Sequence, residues 1–492
     1  MENLLPNATA ECSIGVIGAG IAGLATAHEI RKRNPAARVS VFERTSRAGG
    51  LIQSYRENGF LVESAADCLY TFPTDGIELC RELGLEPKFV PPNQTPCIAS
   101  IWHEHRFHPL PPALIGAGQM TAKMLFGSTL LSLFGKLRCC LEPLIRPRRE
   151  DQDESCRSFF TRRLGHEFTT KIVEPVLSAI HAIPCDRLSM AAVMPHMVLQ
   201  EKKFGSLVKG ANHSFRSSTR SGSSQNGIST PASLTFPNGM DELIQALIAD
   251  LPPDSLQIDS PIRSITNQSS KRWRIEFADP SRNASVVDAV VVACPASVAA
   301  RLLIEADEQL PRDLLSIKYQ SVVVIAAAFD KQHFPVVPNA HGIFMGRGES
   351  YPFRSLSISS EKFCGRAPVE SILFRVSVHP VAGRTHDPQL VDDVVAALQR
   401  LFQISGPPVF QHVVVHESGL AQYEVGHSDK IACIDNDLKR LPGLFLTGSG
   451  YRGAGVVRCI QDAKRVAGLV ADFLGSPDRP GTGSEHIQGS CD

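Results

Sequence analysis

Ser13-Ile14-Gly15-Val16-Ile17-Gly18-Ala19-Gly20-Ile21-Ala22-Gly23 is an apolar strand running into three spaced glycines and then a helical pattern. The spacing matches a dinucleotide-binding turn. Gly18 permits the tight turn, Gly20 lets main chain approach a pyrophosphate, and Gly23 lets the helix pack closely on the strand. The helix start then offers unpaired N–H groups and a positive dipole end to the phosphates. A second apolar strand, Val39-Ser40-Val41-Phe42, closes on Glu43. It lies about twenty residues past the last glycine, where an acidic side chain grips a ribose hydroxyl. A glycine turn of purely structural meaning leaves Glu43 unexplained. Gly18, Ala19, Gly20, Ile21, Ala22, Gly23 and Glu43 are therefore the candidate dinucleotide site.

The next residues narrow the ligand. Glu43-Arg44-Thr45-Ser46-Arg47-Ala48-Gly49-Gly50 adds a glycine pair that nicotinamide domains do not usually need. The run resembles the FAD-binding pattern of the flavoprotein oxidase superfamily of amine oxidases, phytoene desaturases and protoporphyrinogen oxidases. That resemblance implies FAD as cofactor, with Arg44, Arg47, Gly49 and Gly50 beside it. The physical reading agrees: Arg47 can neutralise diphosphate charge, and two glycines let main chain pass close to a ligand.

Composition excludes several classes. The 492 residues exceed one core, so two or three domains are expected. Fifty basic and fifty acidic residues leave no net field, which argues against nucleic acid as a partner. Thirteen cysteines without C-x-x-C pairs suit neither zinc nor a disulfide framework, and no metal site is expected. The odd count, with no signal-like start, favours a reducing cytoplasm. No run reaches the roughly 18–20 apolar residues of a spanning helix. Residues 124–135, apolar between Lys123 and Lys136-Leu137-Arg138, leave three readings: a core helix, the wall of an apolar channel, or a peripheral contact with the inner face of a membrane.

The chain divides by pattern into 11–95, a first FAD-binding part; 96–112, a first substrate-domain part; and 113–210, a helical subdomain. A Ser/Thr/Gly-rich flexible loop follows at 211–233, which buries too little apolar surface to offset its ordering entropy. FAD-binding sequence resumes over 234–300 and substrate-domain sequence over 301–430. A third FAD part covers 431–475 and a disordered tail 476–492. Asn58-Gly59 predicts a hairpin across 54–63. Near the end, the strand Gly443 to Gly448 opens onto Ser449 to Val457 and a further helix, so strand, glycine turn and helix recur. The expected fold is α/β: a discontinuous Rossmann-like FAD domain, an inserted mixed-sheet substrate domain and a mostly helical subdomain.

Asp153-Glu154-Ser155-Cys156-Arg157-Ser158-Phe159-Phe160-Thr161-Arg162-Arg163-Leu164-Gly165 resembles an element of the oxygen-dependent protoporphyrinogen/coproporphyrinogen oxidase family. The likeness continues in 173–182, 186–190, 238–240, 291–296 and the element Gly453-Ala454-Gly455-Val456-Val457, and spans about 13–475. It implies six-electron oxidation of coproporphyrinogen III or protoporphyrinogen IX in three two-electron steps. Hydride would go to flavin N5, with O2 as final acceptor and H2O2 as product. It implies no catalytic base, because pyrrole protons leave by tautomerisation. By position it places Ala65, Ala66, Asp67 and Cys68 near the flavin ring, Ile262 on the adenine, and Gly448 and Gly453 to Val457 over the flavin. Arg106, Arg163, Arg354 and Arg375 are basic residues available to propionates.

Three departures concern the substrate. Ser64-Ala65-Ala66-Asp67 stands where the family has Gly-Pro, Thr71-Phe72 lacks a basic residue found in some relatives, and His181-Ala182-Ile183 replaces Tyr/Phe-Ala-Gly. Ile183 reshapes the pocket, and His181 reads either as a pocket residue or as a structural histidine. Two alternatives stay open: an FAD-dependent amine oxidase or polyene desaturase, for which no aromatic cage is visible, and a non-enzymatic escort protein of the same fold. Oligomeric state is not legible.

Overall fold

The computed structural model describes residues 12–94, 99–110, 122–148, 150, 152–211, 213, 231–268, 272–380 and 385–475. The flexible loop, except at its margins, and the 476–492 tail lie outside them. The chain forms two compact units: one of the residues up to Gly50, Leu243–Ser316 and Ile431 onward, the other of Leu51–Glu242 and Ile317–Lys430.

In the first unit a five-stranded parallel sheet runs in the order Leu444–Leu446, Ala289–Val292, Ser13–Ile17, Arg38–Phe42, Leu256–Gln257. Ala289–Val292 is wholly buried, as suits a parallel strand covered on both faces. The strand Leu444–Leu446 joins the sheet beside it, so sequence from both ends of the chain builds one layer. Each terminal strand leads through a glycine turn into a helix, Ile21–Arg33 or Val456–Gly475, and the two helices pack together. An antiparallel set, Ile262–Asn267, Trp273–Phe277 and Ser285–Val287, completes the unit.

The second unit holds a seven-stranded mixed sheet in the order Phe410–Ala421, Tyr319–Asp330, Ser371–Val378, Ser355–Ile358, Gly342–Met345, Ala99–His103, Arg106–Leu110. One face buries Ile325, Phe374, Val376, Leu356 and Ile358 with Val394, Leu398 and Phe402 of the helix Gln389–Phe402. The predicted hairpin forms as Ser54–Glu57 and Phe60–Glu63, turning at Asn58 and Gly59, both with positive φ. Its Phe60 and Val62 pack on Ala326, Ala328, Leu373 and Phe410 of the opposite sheet face. The described residues 51–94 fall in the second unit, whereas the sequence pattern groups them with the dinucleotide domain.

The helical region departs from expectation at residues 124–135. The chain forms two short helices there, Ala122–Gly127 and Leu133–Cys140. Ser132 caps the second by accepting from the Gly135 N–H, and Glu167 accepts from the Ser132 N–H at 2.9 Å and hydroxyl at 2.7 Å. No single core helix forms: Leu125, Leu130 and Leu131 are buried, whereas Leu133 and Phe134 are 62% and 84% exposed. No helix among the described residues is long and apolar enough to cross a membrane.

Candidate functional site

The glycine turn of the first unit is built by mutual exclusion of side chains. Gly18 has φ +105° and donates its N–H to Phe42 O at 2.8 Å. A Cβ on Gly23 would fall well inside contact distance of Gly18 O. Gly20 bridges Gly49, Gly49 N–H donates to Ala19 O at 2.8 Å, and a Cβ on Gly50 would sit 3.1 Å from the Gly20 α-carbon. The second glycine pair thus closes against the first turn by main chain alone. The helix Ile21–Arg33 begins at Gly20 without a side-chain cap, so its first N–H groups are free for an anion.

Glu43 is buried at the end of its strand. Its carboxylate accepts from the Ala19 N–H at 3.0 Å, the Thr45 N–H at 3.0 Å and the Thr45 hydroxyl at 2.8 Å. Arg44 is exposed. Arg47 donates to the carbonyls of Ala48 (3.0 Å) and Gly50, bracing its own turn. Ile262 opens a strand whose approach is tied to Glu43: Ser260 N–H donates to Glu43 O and Asp259 N–H to Thr45 O. Arg282, absent from the sequence candidates, lies 3.8 Å over the Phe277 ring and donates to the Ser260 hydroxyl.

The second glycine turn is held by charge. Gly448, Gly453 and Gly455 have positive φ. Thr447 donates to the buried Asp462 at 2.9 Å, and Arg452 pairs with Asp435 at 2.5 Å. Asp462 also receives Arg465 at 2.8 Å. Ala454 is half-buried, while Val456 and Val457 are buried at the helix start. Arg452, Asp435 and Asp462 were missed by sequence reasoning. Arg452, inside a glycine run, was the one available signal.

In the second unit the segment Ser64 to Cys68 is pinned by distant groups. Arg375 donates to the carbonyls of Glu63 (2.7 Å) and Ala65, and the His416 imidazole to that of Ser64 at 2.8 Å. Lys362 pairs with Asp67 at 2.8 Å and lies 3.6 Å from Cys68 Sγ. Burial alone would raise Asp67, but Lys362 and Arg375 hold it well below the usual carboxylate range. Burial pushes the Cys68 thiol up to about 12, so it is inert at neutral pH. Ala66 is half-buried between these anchors.

His181 ends the helix Glu174–His181, and burial lowers its imidazole to about 4. Ile183 is buried. Arg163 is withdrawn from the propionate candidates: it is 0% exposed and spent on Glu142 and Glu201. Arg375 is likewise committed to carbonyls, while Arg106 and Arg354 are exposed.

Glu63 supplies a pH prediction. Burial raises it to about 7, against Arg366, the Ser54 hydroxyl and the Met240 N–H, which favour the anion. A raised carboxyl binds its proton more tightly folded than unfolded, so its contribution is full below about pH 4.5 and is lost as pH rises through 7. Glu63→Gln is expected to remove up to about 3 kcal/mol of that pH dependence. Urea unfolding at pH 5 and 7.5 checks it: the variant should gain on wild type at the higher pH, and an unchanged difference between the two pH values refutes the assignment.

The family described as flavin containing amine oxidoreductase matches residues 21–471. The chain is 27% identical to a coproporphyrinogen III oxidase of Staphylococcus aureus, over 92% of this chain and 98% of the relative. It is 25% identical to protoporphyrinogen oxidase 2, chloroplastic/mitochondrial, of Arabidopsis thaliana, over 94% of each. A solved protein of Exiguobacterium sp. 255-15, provisionally named a protoporphyrinogen oxidase, shares the fold with TM-score 0.78 at 24% identity, over 94% of this chain and 99% of that one. The turn at Gly18 to Gly23, its glycine-pair partner and a match over most of the chain lead to one conclusion: this chain belongs to the flavin containing amine oxidoreductase family, as an oxidoreductase whose flavin is FAD.

Proposed function

We propose that the protein is an oxygen-dependent porphyrinogen oxidase, acting on coproporphyrinogen III or protoporphyrinogen IX. The observation that carries this reading is the nearly end-to-end similarity to bacterial and plant proteins bearing those two names. Overall, one porphyrinogen and three O2 would give one porphyrin and three H2O2, six electrons and six protons being removed in three steps. Bound FAD would supply the two-electron acceptor.

The chain's own groups would bind and orient. The N–H groups from Gly18 to Gly23 would hold the pyrophosphate, and Glu43 would exchange its bond to Ala19 for a ribose hydroxyl. Gly49 and Gly50 leave room for the cofactor, Arg47 keeps that turn in shape, and Ile262 would border the adenine. Gly448 and Gly453 to Val457, fixed by Thr447, Arg452 and Asp462, would cover the flavin. Ala65 to Cys68 would face its ring, the segment held by Arg375 at the Glu63 and Ala65 carbonyls and by His416 at that of Ser64.

Aerobic incubation with each porphyrinogen, followed by porphyrin fluorescence, tests the reading. Fluorescence should appear above autoxidation, one O2 being consumed per two electrons, with the protein yellow as isolated. A colourless protein that FAD does not reconstitute, or no gain over autoxidation, overturns it.

A peripheral membrane contact is part of this proposal. Leu133, Phe134, Leu137, Leu141 and Leu144 are all exposed, with the half-buried Lys136 and Arg138, which donate to main-chain carbonyls, among them, a pattern that fits an interfacial anchor. Replacing Leu133 and Phe134 by serine is expected to lower the fraction co-sedimenting with anionic vesicles at least fivefold, with unchanged thermal stability. Equal sedimentation would place the contact elsewhere.

A further inference from the structure

The sheet of the second unit has a half-buried stretch with unpartnered imidazole nitrogens beside it. Along Ser371–Val378, the side chains of Phe374, Val376 and Val378 enter the core under the helix Gln389–Phe402. Leu373 and Arg375 project from the other face, where the hairpin and the Glu63 to Ala65 carbonyls cover them. Past Arg375 the hairpin ends. Register sets Ser377, Ser355 and Phe344 side by side on this face, each half-buried, with His379 just beyond.

The last turn of the helix Glu174–His181 adjoins that end. The His379 imidazole hydrogen-bonds to the Ala179 carbonyl, and its Nδ1 is buried with no partner. Two residues past Ala179, the Nδ1 of His181 is also buried and unpartnered. The His181 ring stands edge-on to Tyr423, centroids 6.4 Å apart, and its carbonyl accepts from Gln422 at 3.2 Å. Ile180, between Ala179 and His181, is half-exposed. A buried polar atom left without a partner costs about 1–3 kcal/mol. Here two such atoms lie beside one helical turn, His181 on it and His379 bonded to its Ala179 carbonyl. Burial keeps both rings neutral at pH 7. With Nε2–H given to Ala179, His379 presents a lone pair at Nδ1.

We propose that His379 and His181 accept hydrogen bonds through Nδ1 from the ring N–H groups of a substrate lying on the Phe344, Ser355 and Ser377 stretch. This rests on the porphyrinogen reading and deepens it. A porphyrinogen presents four pyrrole N–H donors and no ring acceptor, because each nitrogen lone pair belongs to the aromatic system. Its complement is therefore a hydrogen-bond acceptor, which a neutral imidazole nitrogen is; a lysine or arginine, which only donates, cannot serve.

Leucine and asparagine at each position test this in the FAD-loaded protein, since the Asn side-chain oxygen falls near the position of Nδ1. His379→Leu and His181→Leu are each expected to lower kcat/KM about tenfold for both porphyrinogens alike, because the N–H groups are common to them. Asparagine should restore activity to within about threefold of wild type, with FAD content and unfolding midpoint matching wild type. If a leucine variant fails to fold, the asparagine variant and quenching of product porphyrin fluorescence on binding still decide. Leucine variants as active as wild type, or asparagine variants as poor as leucine, overturn the assignment and leave the oxidase reading standing. A wild-type protein that oxidises neither porphyrinogen overturns both.

Discussion

Gly23→Ala is expected to yield a protein that neither retains FAD nor folds to wild-type stability, with a loss of about 3 kcal/mol or more. The added methyl meets the Gly18 carbonyl oxygen, a main-chain atom that no rotamer change can move. Relief requires the helix Ile21–Arg33 to lift from its strand or the turn to open. Opening the turn breaks the Gly18 to Phe42 hydrogen bond and shifts Gly20 from Gly49. Flavin absorbance after gel filtration and urea unfolding measure the two losses. Gly468→Ala is the control: it lies in the helix Val456–Gly475, where a Cβ meets nothing closer than an Arg33 nitrogen at 3.9 Å. That change should stabilise by about 0.5–1 kcal/mol. Yellow, wild-type-stable Gly23→Ala protein would refute the close packing claimed for the turn.

Glu142→Ala is expected to destabilise by about 3–5 kcal/mol. Arg163 and Glu142 are both 0% exposed, and Glu142 also accepts from the Ser206 hydroxyl at 2.6 Å and the Leu207 N–H at 2.8 Å. Its loss leaves the buried Arg163 guanidinium sharing the Glu201 carboxylate, at 3.3 Å, with Arg162, beside the carbonyls of Ile145 and Gly205. The double change Glu142→Met with Arg163→Met removes both charges and should fall within about 1–2 kcal/mol of wild type, since a matched apolar pair avoids the desolvation cost. Chemical unfolding of the three variants measures the cycle. A Glu142→Ala protein within 1 kcal/mol of wild type would show that solvent reaches the pair.

The parts of the candidate site legible in the sequence are those made within one short stretch of chain. Strand, turn and helix around Gly18 follow from backbone sterics over eleven residues, and the hairpin at Asn58-Gly59 from two positive-φ positions. The break at Ser128 to Ser132 was not legible. The carboxylate that satisfies Ser132 belongs to Glu167, which no periodicity connects to it. For the same reason the sequence lists Arg163 among the basic residues available to propionates, whereas the fold pairs it with Glu142.

The sequence by itself determined an α/β, Rossmann-like core with a strand, glycine turn and helix near each end of the chain. Those features depend on local φ, side-chain size and apolar period, which a linear reading contains. Tertiary structure alone decided that Arg375, His416 and Lys362, about 300 residues downstream, hold the Ser64 to Cys68 segment. It also decided which histidines keep an unpaired Nδ1. Hydrogen-bond satisfaction and burial are properties of neighbours in space, and neither has a signature along the chain.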